Sequence, residues 1–255
     1  MAELAAALAG LSRTETLLVA LDFDGTLAPL VDDPDQARAL PEAREAVLRL
    51  LALPRTRVAL ISGRAMASLL HVSDLPDTAL LSGSHGVEAR LDAEPALMLE
   101  PGELDRVAEL RVRLDAAVAG ADKVWIEAKP AGFAVHTRLA SEAVAREANA
   151  AALVVVATLD DITVRWGSDV LEFSVRSTNK GDAVQRLKDF SGASAVFFAG
   201  DDVTDEDAFA ALGPEDVGLK CGDGQTLATF AVASTADVAR TLSELAGLRE
   251  RETLR

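Results

Sequence analysis

Apolar positions along this chain alternate between two patterns. Residues 17–21, LLVAL, form a continuous apolar run of the kind buried on both faces of a parallel sheet, and the run stops abruptly at DFDGT. A helical stretch from Pro41 to Leu53 follows, with Ala43, Val47, Leu50 and Leu51 at helix spacing. RVALI (57–61) then ends in SGR, and TALLSG (78–83) ends in SHGVE. Near the far end, Lys180 opens a helix through Val184 and Leu187 that leads to the strand SAVFFAG (194–200) and the tip DDVTDED. VGLKCG and FAVAS supply short strands, and the terminal RERETLR is expected to be a frayed helix end. Strand, polar tip, helix, strand is the grammar of a doubly wound, Rossmann-like α/β sheet, in which ligands collect at the carboxyl ends of the strands.

Between about Leu104 and Phe173 the pattern changes. Leu104, Val107, Leu110, Leu114 and Val118 recur at helix spacing and are closed off by Gly120. KVWIEAK and GFAVHTR read as two strands, 141–157 as a second helix, and DITVRW and DVLEF as two more strands. The expected organisation is a core domain of 1–103 with 174–255 and an inserted α+β cap domain of 104–173. Residues two apart on a strand share a face. Val124, Ile126 and Ala128, joined by Phe133 and Val135, suit packing beneath the two helices. The opposite face carries Trp125, Glu127, Lys129, His136, Arg138 and Glu172. That face is either a solvated side of an antiparallel sheet or a contact surface.

Charge narrows the list of partners. The chain of 255 residues holds 25 basic and 41 acidic residues, a formal net charge of -16. Such a balance repels a phosphate backbone, so nucleic acid is not an expected partner. The single cysteine, Cys221, cannot form an intrachain disulfide, which fits a reducing cytoplasm. The N-terminal MAELAAALAGLSRTETLL lacks a basic flank and carries Glu3, and no window approaches the roughly 20 apolar residues of a membrane span. The expectation is an untargeted protein with no membrane association. Oligomeric state is not legible.

The chemistry sits at the strand tips. Asp22 and Asp24 follow an apolar strand with only Phe23 between them, then Gly25 and Thr26. Neighbouring carboxylates repel, so this placement makes sense where a cation neutralises them. A capped turn built by Asp, Gly and Thr is the plainer alternative. Asp201, Asp202 and Asp205 follow a second buried strand, so two acidic tips can converge on one hard cation. An acidic first helical turn accounts for them as well. Coincidence favours chemistry, because DFDGT, SGR and GDD occupy three strand tips and Lys180 occupies a helix start.

LDFDGTLAPL, ISGR, Lys180 and GDDVTDEDAF, in that order, resemble the four motifs of haloacid dehalogenase phosphatases. The resemblance implies Asp22 as nucleophile, Asp24 as general acid and base, and Ser62 and Lys180 as phosphate ligands. It further implies a magnesium ion on Asp22, the Asp24 backbone carbonyl and Asp201, supported by Asp202 and Asp205. Within the superfamily, GSHGVE, IEAKPAGFAVHTR and LEF before NKGDAV are most similar to the trehalose-6-phosphate phosphatase family. This implies hydrolysis of trehalose-6-phosphate through an aspartyl phosphate. The cap would grip the sugar through Glu127, Lys129, Arg138 and Glu172, helped by Arg64, His85 and Glu88 at the core rim. A lone strand histidine such as His136 is more often structural. One departure is VRSTNKG, where the family often has arginine and proline before the lysine. Phosphatases of sucrose-6-phosphate or a glycosyl glycerate phosphate would share the catalytic motifs and the cap type, and sugar phosphomutases of the superfamily the first motif and a similar cap.

Overall fold

The first part of the chain forms α1 (Ala2–Leu11), β1 (Leu17–Leu21), α2 (Pro41–Leu51), β2 (Thr56–Ile61), α3 (Met66–Ser73), β3 (Leu80–Gly83), β4 (Glu88–Arg90) and β5 (Ala96–Leu97). The middle forms α4 (Pro101–Ala117), β6 (Trp125–Lys129), β7 (Gly132–His136), α5 (Glu142–Val156), β8 (Thr163–Trp166) and β9 (Val170–Ser174). The last part forms α6 (Lys180–Ser191), β10 (Ala195–Gly200), α7 (Asp205–Ala210), β11 (Val217–Cys221), β12 (Phe230–Val232) and α8 (Thr235–Thr253). This is a computed structural model, and it describes residues 2–92, 94–167, 169–176 and 178–254. Ser177, the departure before the motif lysine, lies outside the described residues.

The chain divides into two compact units, Met1–Ala96 with Thr178–Arg255, and Leu97–Ser177. These bounds lie a few residues outside the expected 104 and 173. Helix α4 starts at Pro101, with reciprocal hydrogen bonds between the Glu100 and Glu103 side chains and backbone. Apolar spacing shows only from Leu104 onward, so this capped first turn was invisible to it.

In the larger unit the sheet order is β12-β11-β10-β1-β2-β3-β4-β5. From β12 to β3 every pairing is parallel, and β4 joins β3 antiparallel. Period-two alternation splits each central strand between two apolar layers. Leu17, Val19 and Leu21 join Val58, Leu60 and Phe197 in a core closed by residues of α1, α2, α3 and α8. Leu18 and Ala20 join Ala59, Ile61, Val196 and Phe198 in the other, closed by α6 and α7. Each leucine fully buried this way contributes roughly 1.5–3 kcal/mol, which fixes the strands that carry the acidic tips.

RERETLR is not a frayed end. Helix α8 runs to Thr253, and Arg249 is buried. Its guanidinium donates to the carbonyls of Ser12, Thr14, Glu15 and Arg55 and to the Thr56 hydroxyl. Those carbonyls lie beside the amino ends of β1 and β2, where an unpaired acceptor would be costly.

The smaller unit carries a four-stranded antiparallel sheet in the order β6-β7-β9-β8. Ile126 faces Val135, and Ala128 faces Phe133, whose other neighbour is Phe173. No described helix is long and apolar enough to cross a membrane.

Candidate active site

The larger unit's site is built where β1, β2 and β10 end. Phe23 is buried in the core, which turns the flanking Asp22 and Asp24 the other way. Asp22 is only 4 % exposed, and its backbone N–H still donates to Ala199 on β10 at 2.9 Å. Gly25 follows in the left-handed region (φ +79°), and a Cβ there would stand 2.0 Å from Asp201 Oδ2. Glycine therefore admits the second acidic tip against the first. Thr26 Oγ1 donates to Asp201 Oδ1 at 3.1 Å.

Lys180, at the start of α6, is buried and donates through Nζ to Asp22 Oδ1 at 2.5 Å and to Asp205 Oδ1 at 2.7 Å. Burial works against its ammonium, but the charges of Asp22 and Asp205 outweigh that and raise its pKa. Burial pushes the Asp22 carboxyl up to about 8, against the opposing charge of Lys180. Burial likewise raises Asp201, against the hydrogen bond from Thr26. Asp205 is fully buried and accepts the backbone N–H groups of Asp201 at 3.0 Å and Asp202 at 2.9 Å.

Asp24 is held differently. Arg64 Nε reaches Asp24 Oδ2 at 2.5 Å and Arg64 Nη2 reaches Oδ1 at 2.7 Å, a two-pronged pair. The hydrogen bond to Asp24 raises the Arg64 pKa against the effect of burial. Ser62 is buried, and its hydroxyl oxygen accepts the Arg64 N–H at 3.2 Å, which orients its own proton for donation elsewhere. Together Asp22, Asp24, Ser62, Arg64, His85 and Lys180 line a cavity of about 340 Å³, with Asp201 and Asp202 on its acidic side. His85 leans on Gly63, where a Cβ would stand 2.6 Å from its Nε2. Glu88 is not among the residues lining this cavity. Its Oε2 accepts the Met66 N–H at 2.9 Å and the Ser84 hydroxyl at 2.7 Å, so it holds the start of α3.

In the smaller unit, Glu127, Lys129 and Glu172 share one sheet face. Ala134 on the central strand β7 pairs with Glu127 on one side and Glu172 on the other, and Gly132 pairs with Lys129. Two carboxylates thus flank a strip of small residues. Lys129 Nζ donates to Glu127 Oε1 at 2.7 Å, and His136 Nε2 meets Glu127 Oε2 at 2.7 Å. Arg138 lies beyond the end of β7, with its guanidinium carbon 5.7 Å from the centre of the Trp125 ring.

Residues 20–241 match the family model described as trehalose-phosphatase. The chain belongs to that family. The trehalose-phosphate phosphatase of Mycobacterium ulcerans (strain Agy99) is 36% identical over 269 residues, covering 96% of this chain and 67% of that protein. The one from Mycobacterium tuberculosis (strain H37Rv) is 35% identical over 247 residues, covering 89% of this chain and 61% of that protein. The chain thus spans about two thirds of the length of these curated relatives. An Aspergillus fumigatus trehalose-6-phosphate phosphatase structure superposes with a TM-score of 0.72 at 27% identity, covering 95% of this chain and 97% of that one. Membership of the trehalose-phosphatase family makes the chain a phosphoric monoester hydrolase with the haloacid dehalogenase fold.

This member of the trehalose-phosphatase family has a donor set that suits a hard divalent cation. One carboxylate oxygen from each of Asp22, Asp201 and Asp205 lies within 4.8 Å of the others. Among the described residues, Lys180 bonds Asp22 and Asp205, Arg64 bonds Asp24, and Lys220 bonds the backbone of the second acidic tip. Lys220 was missed by the motifs. It is buried on β11 and donates to the backbone carbonyl of Asp201 at 2.5 Å and of Asp202 at 3.4 Å. Its one sequence signal is a lysine inside the apolar run VGLKC, where charge survives only with partners.

Proposed function

We propose that the chain hydrolyses trehalose-6-phosphate to trehalose and phosphate, with magnesium as cofactor and Asp22 as the nucleophile. The observation that carries this is Asp22, buried at a strand tip, bonded to Lys180 and beside Asp201, in a chain whose relatives bear that name.

Phosphoryl transfer needs positioning and charge neutralisation more than elaborate covalent machinery. Asp22 and Asp201 would hold the magnesium, together with the Asp24 backbone carbonyl, and Asp202 and Asp205 would support it, Asp205 through its bonds to Lys180 and to the backbone N–H groups of Asp201 and Asp202. When bound, the ion supplies charge neutralisation between Asp22 and an incoming phosphate. Lys180 and the Ser62 hydroxyl take phosphate oxygens. An Asp22 oxygen attacks phosphorus, the bond from phosphorus to the sugar oxygen breaks, and Asp24 delivers a proton to that oxygen. Asp24 then removes a proton from the water that splits the aspartyl phosphate. Asp24 serves in these steps through one carboxylate oxygen that Arg64 releases, while the hydrogen bond from Arg64 to the other oxygen keeps the acid oriented.

The unit of 97–177 acts as the cap. Glu127, Lys129 and Glu172 bind glucose hydroxyls there, and Arg64 and His85 serve the core rim. Glu88 contributes by holding the loop behind them, and Arg138 by flanking Trp125.

Phosphate release from trehalose-6-phosphate, sucrose-6-phosphate, a glycosyl glycerate phosphate and glucose-6-phosphate tests the assignment. The expected outcome is a kcat/KM highest for trehalose-6-phosphate and dependent on magnesium. A higher value for another sugar phosphate replaces the substrate, and an isomeric phosphate without free phosphate identifies a mutase.

A further inference from the structure

Glu127 is the point at which several contacts of the smaller unit meet. Its side chain is 44% exposed and has three rotatable bonds, so nothing intrinsic fixes its direction. An exposed pair with Lys129 alone would fix it weakly. The second contact differs in kind. A carboxylate only accepts, so His136 must carry its proton on Nε2 and donate to Glu127 Oε2 at 2.7 Å. The imidazole is itself immobilised, because it lies flat on the Trp125 indole with ring centres 4.8 Å apart and planes 6° from parallel. This arrangement follows from strand register, since Trp125 on β6 pairs directly with His136 on β7.

We infer that His136 is a positioning residue: clamped by Trp125, it aims the Glu127 carboxylate for the sugar hydroxyls of the substrate. This rests on the proposal that Glu127 binds the sugar. Lys129 and His136 take one oxygen each, in two different directions, and that fixes the carboxylate plane. Each oxygen keeps a further acceptor site for a hydroxyl. The hydrogen bond from Lys129, and then that from His136, keep the Glu127 carboxyl below its ordinary range against the effect of burial. Glu172 stands across Ala134, so an aimed Glu127 presents the sugar with carboxylates on both sides of one strand. A stacked pair whose only task is to hold the sheet together would not need its free ring nitrogen on a functional carboxylate.

The test is kcat/KM for trehalose-6-phosphate and for p-nitrophenyl phosphate, measured on wild type, His136→Ala, Trp125→Ala, Trp125→Phe, Glu127→Ala and the double variant His136→Ala with Glu127→Ala. His136→Ala should lose about tenfold on trehalose-6-phosphate, mostly as a rise in KM, consistent with one charge-assisted hydrogen bond. The loss on the aryl phosphate should be much smaller. Trp125→Ala should follow His136→Ala, and Trp125→Phe, which keeps a flat ring, should recover most of the loss. Because His136 acts through Glu127, the double variant should be no worse than Glu127→Ala. Additive losses in the double variant, or equal losses of His136→Ala on both substrates, overturn the inference in favour of a structural role. A selective defect in Glu127→Ala with a normal His136→Ala overturns it alone. A Glu127→Ala protein without a selective defect overturns the sugar assignment of this face, and the inference with it.

Discussion

Arg64 grips both carboxylate oxygens of Asp24, at 2.5 and 2.7 Å, while the neighbouring Asp22 is bonded to Lys180. Two aspartates separated by one residue are thus given different partners, as the different roles proposed for them require. Arg64→Lys keeps a positive charge but loses the planar fork. It should lower kcat on trehalose-6-phosphate about tenfold or more, a part of the roughly 10²–10⁴ that a placed acid and base contributes. Steady-state kinetics at saturating magnesium checks this, and an unchanged kcat would show that the fork does not matter to Asp24.

On the proposed mechanism, magnesium and protons compete for Asp22. Its carboxyl is pushed from 3.8 to about 8 in the folded protein, chiefly by burial. Without metal, the folded state keeps a proton through the window from about pH 4 to about pH 8 that the unfolded chain has lost, so this group makes stability fall as pH rises. Metal binding needs the deprotonated ligand. The gain in melting temperature on adding saturating magnesium should therefore be larger at pH 8 than at pH 5. An equal or smaller gain at pH 8 would contradict the assignment of Asp22 as a ligand. Chelation should abolish turnover, and added magnesium should restore it.

Lys220 supports the second acidic tip through the carbonyls of Asp201 and Asp202. Lys220→Met keeps the apolar stem and removes both hydrogen bonds. The cost in unfolding free energy should be about 1–3 kcal/mol, since two partly buried acceptors lose a charged donor. Magnesium affinity should weaken about tenfold to a hundredfold, as for loss of a group that orients a metal ligand. Chemical denaturation and calorimetric magnesium titration read the two effects. A stable variant with unchanged affinity would leave Lys220 without a role in the site.

Gly25→Ala places a Cβ within 2.0 Å of Asp201 Oδ2 in a backbone region that disfavours alanine. The expected result is a folded but less stable protein with weakened magnesium binding, because Asp201 must move. Calorimetric titration would show this, and unchanged affinity would mean that the tip relaxes freely.

Much of the sheet was legible because its central strands are continuous apolar runs that stop at polar tips. LLVAL, RVALI and SAVFFAG became β1, β2 and β10, each ending at a residue group of the site. Helix α1 escaped because AELAAALAGL is apolar nearly all round and offers no period to follow. The charged end of α8 misled for the opposite reason, since only tertiary structure places four carbonyls around Arg249. Within the acidic tips, sequence could not tell Asp205, fully buried beneath Lys180, from the exposed Asp202 three residues earlier. Alternation placed Trp125 and His136 on one face, but only the β6-β7 register set them directly opposite each other.

The central claim is that Asp22 attacks phosphorus, and the rate of phosphate release from trehalose-6-phosphate by Asp22→Asn measures it most directly. The amide keeps the shape and removes the attacking charge. It also removes a carboxylate whose burial is unfavourable, so the variant should melt no lower than wild type. The account predicts a folded protein whose turnover has fallen by about a thousandfold or more. Turnover close to the wild-type rate in that folded variant would contradict it and point to direct attack by water.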